Sequence, residues 1–197
     1  MKTTTNIGRY TDSELIELAK KNNGYKFIPR GWWILGFRSK EDEPDAFDDK
    51  FYVFNDHKCV YVMSGTTNSG TYGLLNFSNW GATGAAHIKG NEWYYNVWTR
   101  GLHNGKMPAL RQTGAFKVIR DSDGDNKSGN SGECTLETFK GLNFHTNTYN
   151  PNNFVKRFFI GKWSTGCQVT NDVDLYHLFM QASKPQNVFS YCLIEEK

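Results

Sequence analysis

Residues 141–170, GLNFHTNTYNPNNFVKRFFIGKWSTGCQVT, carry the pattern on which the fold turns. Leu142-Asn143-Phe144, ending at His145, predicts a short strand, and Arg157-Phe158-Phe159-Ile160 predicts a second. Between them TNTYNPNN, rich in Asn, Thr and Pro, predicts a loop. The second strand leads into a tight turn, Ser164-Thr165-Gly166-Cys167. Two strands joined in this way would set His145 beside Cys167. The thiolate, not the thiol, is the nucleophile, so a reactive cysteine needs a base and a lowered pKa. Gly166 allows a strained turn, and backbone N–H groups of Gly166 and Cys167 are the expected donors to an oxyanion. The other cysteines look different. Cys59 and Cys192 lie in the apolar runs CVYV and YCLI, where packing explains them.

Outward from this stretch the chain continues mainly β. Thr11-Asp12-Ser13-Glu14 is a capping box, and Leu15, Ile16, Leu18 and Ala19 follow at helical spacing, so Thr11 to about Asn23 is predicted helical, with Gly24 as its C-cap. GWWILGFRS is an apolar strand. The acids of KEDEPDAFDDK are predicted to be solvated. Phe51–Phe54 and Cys59–Ser64 form a hairpin around Asn55-Asp56-His57-Lys58, leaving His57 exposed. Glu92–Trp98 and Ala115–Arg120 are further strands, separated by a polar loop, GLHNGKMPALRQTG, whose His103, Lys106 and Arg111 suit an acidic substrate group. His87 carries no functional signal. Asp121, Asp123 and Asp125 alternate as at the start of a calcium loop, although the glycine stands fourth rather than sixth; a solvated Asp/Gly turn is the competing reading. Asn171-Asp172 caps a last helix with Leu175, Leu178, Phe179 and Ala182 on its buried face, Pro185 stops it, and Val188–Ile194 is the final strand. The expectation is one domain over residues 1–197: a helical segment, 1–30, and a β-rich core, 31–197.

Of the 197 residues, 15% are aromatic and 38% hydrophobic, which suits a folded domain. No apolar run reaches the roughly 18 residues that span a bilayer. A net charge of +3, unclustered, excludes a strong nucleic-acid signal while suiting an acidic polymer. Four scattered cysteines form no CxxC pair and no zinc spacing, so neither a metal nor another cofactor is expected. A Cys59–Cys192 or Cys134 pairing stays open. The N-terminus, MKTTTNIGRYTDSELIEL, lacks the apolar stretch of a secretory signal, which predicts synthesis in the cytoplasm. Action at a cell wall would then need another exit, such as a phage lysis enzyme or virion component has.

The order His145 … Ser164-Thr165-Gly166-Cys167, with eighteen residues between His145 and Ser164, resembles the motif of YkuD-type L,D-transpeptidase domains. Upstream, Thr66-Thr67-Asn68-Ser69-Gly70-Thr71-Tyr72 resembles that family's Thr-Pro-x-Gly-x-Phe/Tyr element, with Thr67, Gly70 and Tyr72 in matching places. The chain departs from the family where Thr165 replaces a histidine, Asn68 a proline, and Gln168-Val169 an apolar residue followed by Arg or Asn. The resemblance implies a curved β-sandwich and acyl transfer on peptidoglycan stem peptides, by cross-linking or hydrolysis. It implies Cys167 as nucleophile and His145 as base, the ring oriented by the carbonyl of Thr146, with side-chain alternatives at Asn143 or Asp172. Ser164, Thr165, Thr67, Gly70, Tyr72 and Gln168 are the expected substrate contacts. The alternative is a non-catalytic wall-binding or virion module that keeps the fold, supported by aromatics such as Trp32, Trp80 and Trp93. A cytoplasmic cysteine protease or effector would share the chemistry but not the substrate.

Overall fold

A computed structural model describes residues 10–40, 43–129, 131–138 and 141–196; most of the N-terminal stretch read for a signal, residues 1–9, lies outside them. Helix α1 (Asp12–Lys20) starts where the capping box places it: Thr11 Oγ1 accepts from the Glu14 amide, and Glu14 accepts from the Thr11 amide. The strands β1 (Trp32–Arg38), β2 (Asp49–Asn55) and β3 (Lys58–Thr66) follow, the last two joined by a tight turn at Asp56-His57. Next come a short helix α2 (Thr71–Asn76) and the strands β4 (Ala85–Ile88), β5 (Glu92–His103), β6 (Met107–Gln112), β7 (Phe116–Asp121) and β8 (Cys134–Glu137). The chain then forms β9 (Phe144–Thr146), β10 (Gln168–Thr170), helix α3 (Val173–Ala182) and β11 (Val188–Glu195).

The mainly β expectation holds, but the sheet closes. Eight strands form a barrel in the order β1-β11-β5-β6-β9-β10-β3-β2, and β4-β7-β8 form a separate three-stranded sheet. A closed barrel stands where a curved sandwich was expected. The closure is made by β11 pairing in parallel with β1, Ile34 opposite Tyr191. Such a contact joins the two ends of the chain, and no local pattern encodes it.

Burial explains why β1, β2 and β11 read as continuous apolar runs. Side chains alternate between two faces, and here both are covered. Ile34, Phe51, Val53, Tyr191 and Leu193 pack in one cluster with Trp98, Phe144 and the Tyr176 and Phe179 rings of α3. Trp33, Leu35, Tyr52, Phe54, Cys192 and Ile194 pack on the other side with Leu15, Ile16 and Ala19 of α1. All four cysteines are free.

Four local expectations need correction. Residues 157–160 form no strand: Phe158 and Phe159 are 90% and 70% exposed, because no neighbouring strand is there to bury them. The strand that precedes α3 is instead β10, directly after Cys167. The polar loop 101–114 is largely a hairpin. Asn104 and Gly105 both take positive φ, the turn that suits two antiparallel strands, and it pairs β5 with β6. The acids of residues 40–50 are not all solvated. Asp49 is buried and accepts from the Ser39 and Thr67 amides and from Thr67 Oγ1, while Asp45 accepts from the Thr71 and Gly161 amides. Burial raises the Asp49 carboxyl to about 6. On α3 the buried residues are Val173, Leu175, Tyr176 and Phe179, with Leu178 and Ala182 outside; the Asp172 side chain leaves the cap to bind the Ser64 amide and Lys156.

Candidate active site

The site is built on two short parallel strands. β9 and β10 pair with Phe144 opposite Gln168 and His145 opposite Val169, and the Gln168 amide donates to the Asn143 carbonyl at 2.8 Å. Parallel neighbours require a long crossover, and residues 147–167 supply it. Cys167 is therefore delivered one residue before β10, level with the start of β9. The core holds both strands in place. Trp98 Nε1 donates to the Leu142 carbonyl, the Tyr176 hydroxyl to the Phe144 carbonyl, and the Tyr191 hydroxyl to Gln168 Oε1.

His145 is fully buried, and its Nδ1 lies 2.7 Å from the Thr146 carbonyl. A carbonyl only accepts, so Nδ1 carries the proton and the neutral ring has its lone pair at Nε2. That Nε2 has no hydrogen-bond partner among the described residues. One ring nitrogen of His145, one of His103 and the Cys167 sulfur lie within 4.8 Å of one another. The His145 ring, the thiol and the orienting carbonyl of Thr146 are thus gathered at one site. Neither side-chain alternative touches His145: Asp172 is on Ser64, and Asn143 bonds His103 Nδ1 and the Gln112 amide.

Electrostatically the pair rests neutral. Burial, then the charge of His103, hold His145 down to about 3, against a smaller upward pull from the Thr146 carbonyl. Burial pushes the Cys167 thiol up to about 11, and the thiol donates weakly to the Gly141 carbonyl at 3.3 Å. The lowered thiol pKa expected of a nucleophile is not found in the resting site, because nothing cationic stands against the sulfur.

The turn that presents Cys167 depends on glycine. Gly166 has φ +129°, and a Cβ there would meet Ala86 Cβ at 2.4 Å and the Ala86 carbonyl at 2.8 Å. The turn is pinned on both sides: the Ala86 amide donates to Thr165 O, and the Gly70 amide to Ser164 O. Ser164 is buried and ties the turn together, its hydroxyl donating to the Cys167 carbonyl and accepting from the Gly166 amide. The Gly166 N–H is thereby occupied and is no oxyanion donor. The Cys167 N–H makes no hydrogen bond among the described residues and remains the donor of this turn.

Most of the expected substrate contacts lie behind the site. Thr67 and Gln168 are fully buried, Thr67 taking bonds from Arg38 and holding Asp49, and Gln168 bridging Thr67 O to Tyr191. Gly70 approaches Gly161 and Asp45 too closely to face a ligand, and Tyr72 is packed between Trp80 and Lys162. These residues are not among those that line the cleft over Cys167. Only Thr165, with Cys167, lines the cleft of about 690 Å³ that opens over the sulfur. Its other walls are Trp80, His103, Arg111, Asn143, Tyr149 and Trp163 among others. Sequence reasoning did not assign His103 to the cysteine. Its ring stacks on His145 with centroids 4.1 Å apart and planes 26° apart. The signal was the Asn104-Gly105 dipeptide, which returns β6 beside β5 and brings His103 to β9.

Two imidazoles and a thiol match a zinc donor set in type. Here, though, both His103 nitrogens already meet the side-chain amides of Asn143 and Asn104, and its ring is stacked on His145. The aspartates of the calcium reading do not gather either. Asp121 accepts from the Gly129 amide and Ser131, Asp123 from the Asp125 amide, and Asp125 from the Lys127 amide, the pattern of an Asx-rich turn. No family model, curated protein or solved structure matches this chain.

Proposed function

We propose that this chain is a cysteine-dependent acyltransferase acting on peptidoglycan stem peptides, in the manner of the L,D-transpeptidases it resembles in motif order. One observation carries the proposal: a fully buried His145 whose Nδ1 is committed to the Thr146 carbonyl, whose Nε2 is left unpartnered among the described residues, and whose ring clusters with the Cys167 thiol. In the reaction Cys167 Sγ attacks a peptide carbonyl while His145 Nε2 takes the thiol proton. The Cys167 N–H stabilises the oxyanion, and His145 returns the proton to the leaving amine. The thioester then passes to an acceptor amine, giving a cross-link, or to water, giving hydrolysis. Because thiol and imidazole rest neutral, the proton moves during the attack and no thiolate waits for substrate. A phage-encoded lysis enzyme acting at the wall is a setting that suits this chemistry.

The test is muropeptide analysis of purified peptidoglycan treated with wild type or Cys167→Ala, with and without an added D-amino acid. Shortened stems, or stems carrying the D-amino acid, should appear only with wild type. Identical profiles from both proteins would refute the proposal for this substrate. The competing reading, a wall-binding or virion module, draws support from the high thiol pKa and from the exposed Phe154, Phe158 and Phe159 on the crossover. It predicts binding to peptidoglycan that Cys167→Ala leaves intact, with no change in the muropeptides.

A further inference from the structure

The cleft over Cys167 carries four charged side chains, and three are already engaged. Arg120 and Glu137 bind each other through two contacts, Nε to Oε1 at 2.8 Å and Nη2 to Oε2, so their charges cancel locally. The Lys162 ammonium sits 4.4 Å over the Tyr72 ring. Arg111 is different. It is exposed, and among the described residues its guanidinium has no ion pair or hydrogen bond. Its position is nonetheless defined. The stem crosses Gly101 on the neighbouring strand so closely that a Cβ there would meet Arg111 Cδ at 2.7 Å. Gly101 thus clears a lane that leads the guanidinium along β6 to the cleft. Arg111 is also near enough to His103 for its charge to add to burial in holding that imidazole below its ordinary range. Arg111 therefore lines the cleft on the side of the His103–His145 stack, the one of its four charged side chains without a partner among the described residues.

We propose that Arg111 is an anion subsite that selects acyl donors bearing a free carboxylate close to the reacting carbonyl. The inference rests on the acyl-transfer function above. A planar guanidinium takes a carboxylate through two parallel hydrogen bonds, which fixes orientation as well as charge. In a stem peptide the carboxylate has two sources: the α-carboxylate of the terminal residue, or a side-chain carboxylate of a diamino acid.

The experiment measures binding to inert Cys167→Ala protein by calorimetry. Three versions of one stem tetrapeptide are used: unmodified, amidated at the C-terminus, and amidated at the side-chain carboxylate. Each is tested with Arg111 present and with Arg111→Met, which keeps the stem over Gly101 and removes the charge. Arg111→Met should weaken the unmodified peptide about 10- to 100-fold. It should leave unchanged the peptide whose missing carboxylate is the one Arg111 reads, which names the source. Arg111→Lys should recover only part of the loss. Equal losses on all three peptides, or no loss on any, would overturn the subsite while leaving the acyl-transfer proposal standing. Failure of all three peptides to bind Cys167→Ala would overturn both.

Discussion

Alkylation of Cys167 will follow a pH curve set by its neutral, buried surroundings. With the thiol at about 11, the thiolate fraction at pH 7 is about 10⁻⁴, against about 3% for an unperturbed thiol near 8.5. That is about 300-fold less nucleophile. A more basic thiolate is intrinsically more reactive, and a Brønsted slope near 0.45 returns about 13-fold of the deficit. The net expectation is a rate about 20-fold below that of a free thiol at pH 7, climbing about tenfold per pH unit from 7 to 10. Iodoacetamide labelling read by peptide mass spectrometry measures it, with exposed Cys134 as the accessible comparator in the same molecule. Because His145 is neutral at these pH values, His145→Gln should leave the slope unchanged. A rate that is already flat below pH 7, and that His145→Gln lowers, would mean a preformed thiolate–imidazolium pair and would refute the reasoning.

Three further outcomes are expected. Gly166→Ala forces a side chain into φ +129° and against the Ala86 backbone, which should cost about 3 kcal/mol or more and reduce turnover at least 100-fold by moving Cys167; urea melts and product assays check it. Phe144→Ala removes a fully buried ring that packs on Phe51, Trp98 and Tyr176, and should destabilise by about 3–5 kcal/mol in the same melts. Stability should fall in acid. His145 is held down to about 3 and His87 lies well below its ordinary range, both by burial first, so below about 6.5 the unfolded chain binds protons the folded chain refuses. Asp49, raised to about 6, opposes this between 3.8 and 6, where the folded chain holds the proton more tightly. The two histidines act over the whole range and Asp49 over part of it, so stability should fall between pH 7 and 4.5, and His145→Gln should flatten the slope.

Local patterns carried much of the barrel wall. The Thr11–Glu14 box sets the start of α1, and the apolar run of β1 is explained by burial on both faces. The β2–β3 hairpin follows from its turn residues. What escaped is non-local. The exposed Phe158 and Phe159 mimic a strand because an apolar pair at a crossover reads like an apolar pair in a sheet. The true partner of β9, Gln168-Val169-Thr170, is too short and too polar to show periodicity. For the site, the proximity of His145 and Cys167 was legible as two motif pieces, and so was the Thr146 carbonyl. The cleft was not, because its walls come from segments spread between Trp80 and Cys167. Thr67 and Gln168 sat close to the site in sequence pattern, yet their hydrogen-bonding capacity is consumed by Asp49, Arg38 and Tyr191 behind it.

The most direct measurement is intact-mass spectrometry of the protein mixed with a stem tetrapeptide and quenched in acid. The expected result is a covalent adduct equal to the peptide less its terminal residue, mapped to Cys167. It should be absent in Cys167→Ala and formed at least 100-fold more slowly in His145→Gln. Turnover without any adduct at Cys167, or an adduct that forms equally fast without His145, would contradict the assignment of nucleophile and base.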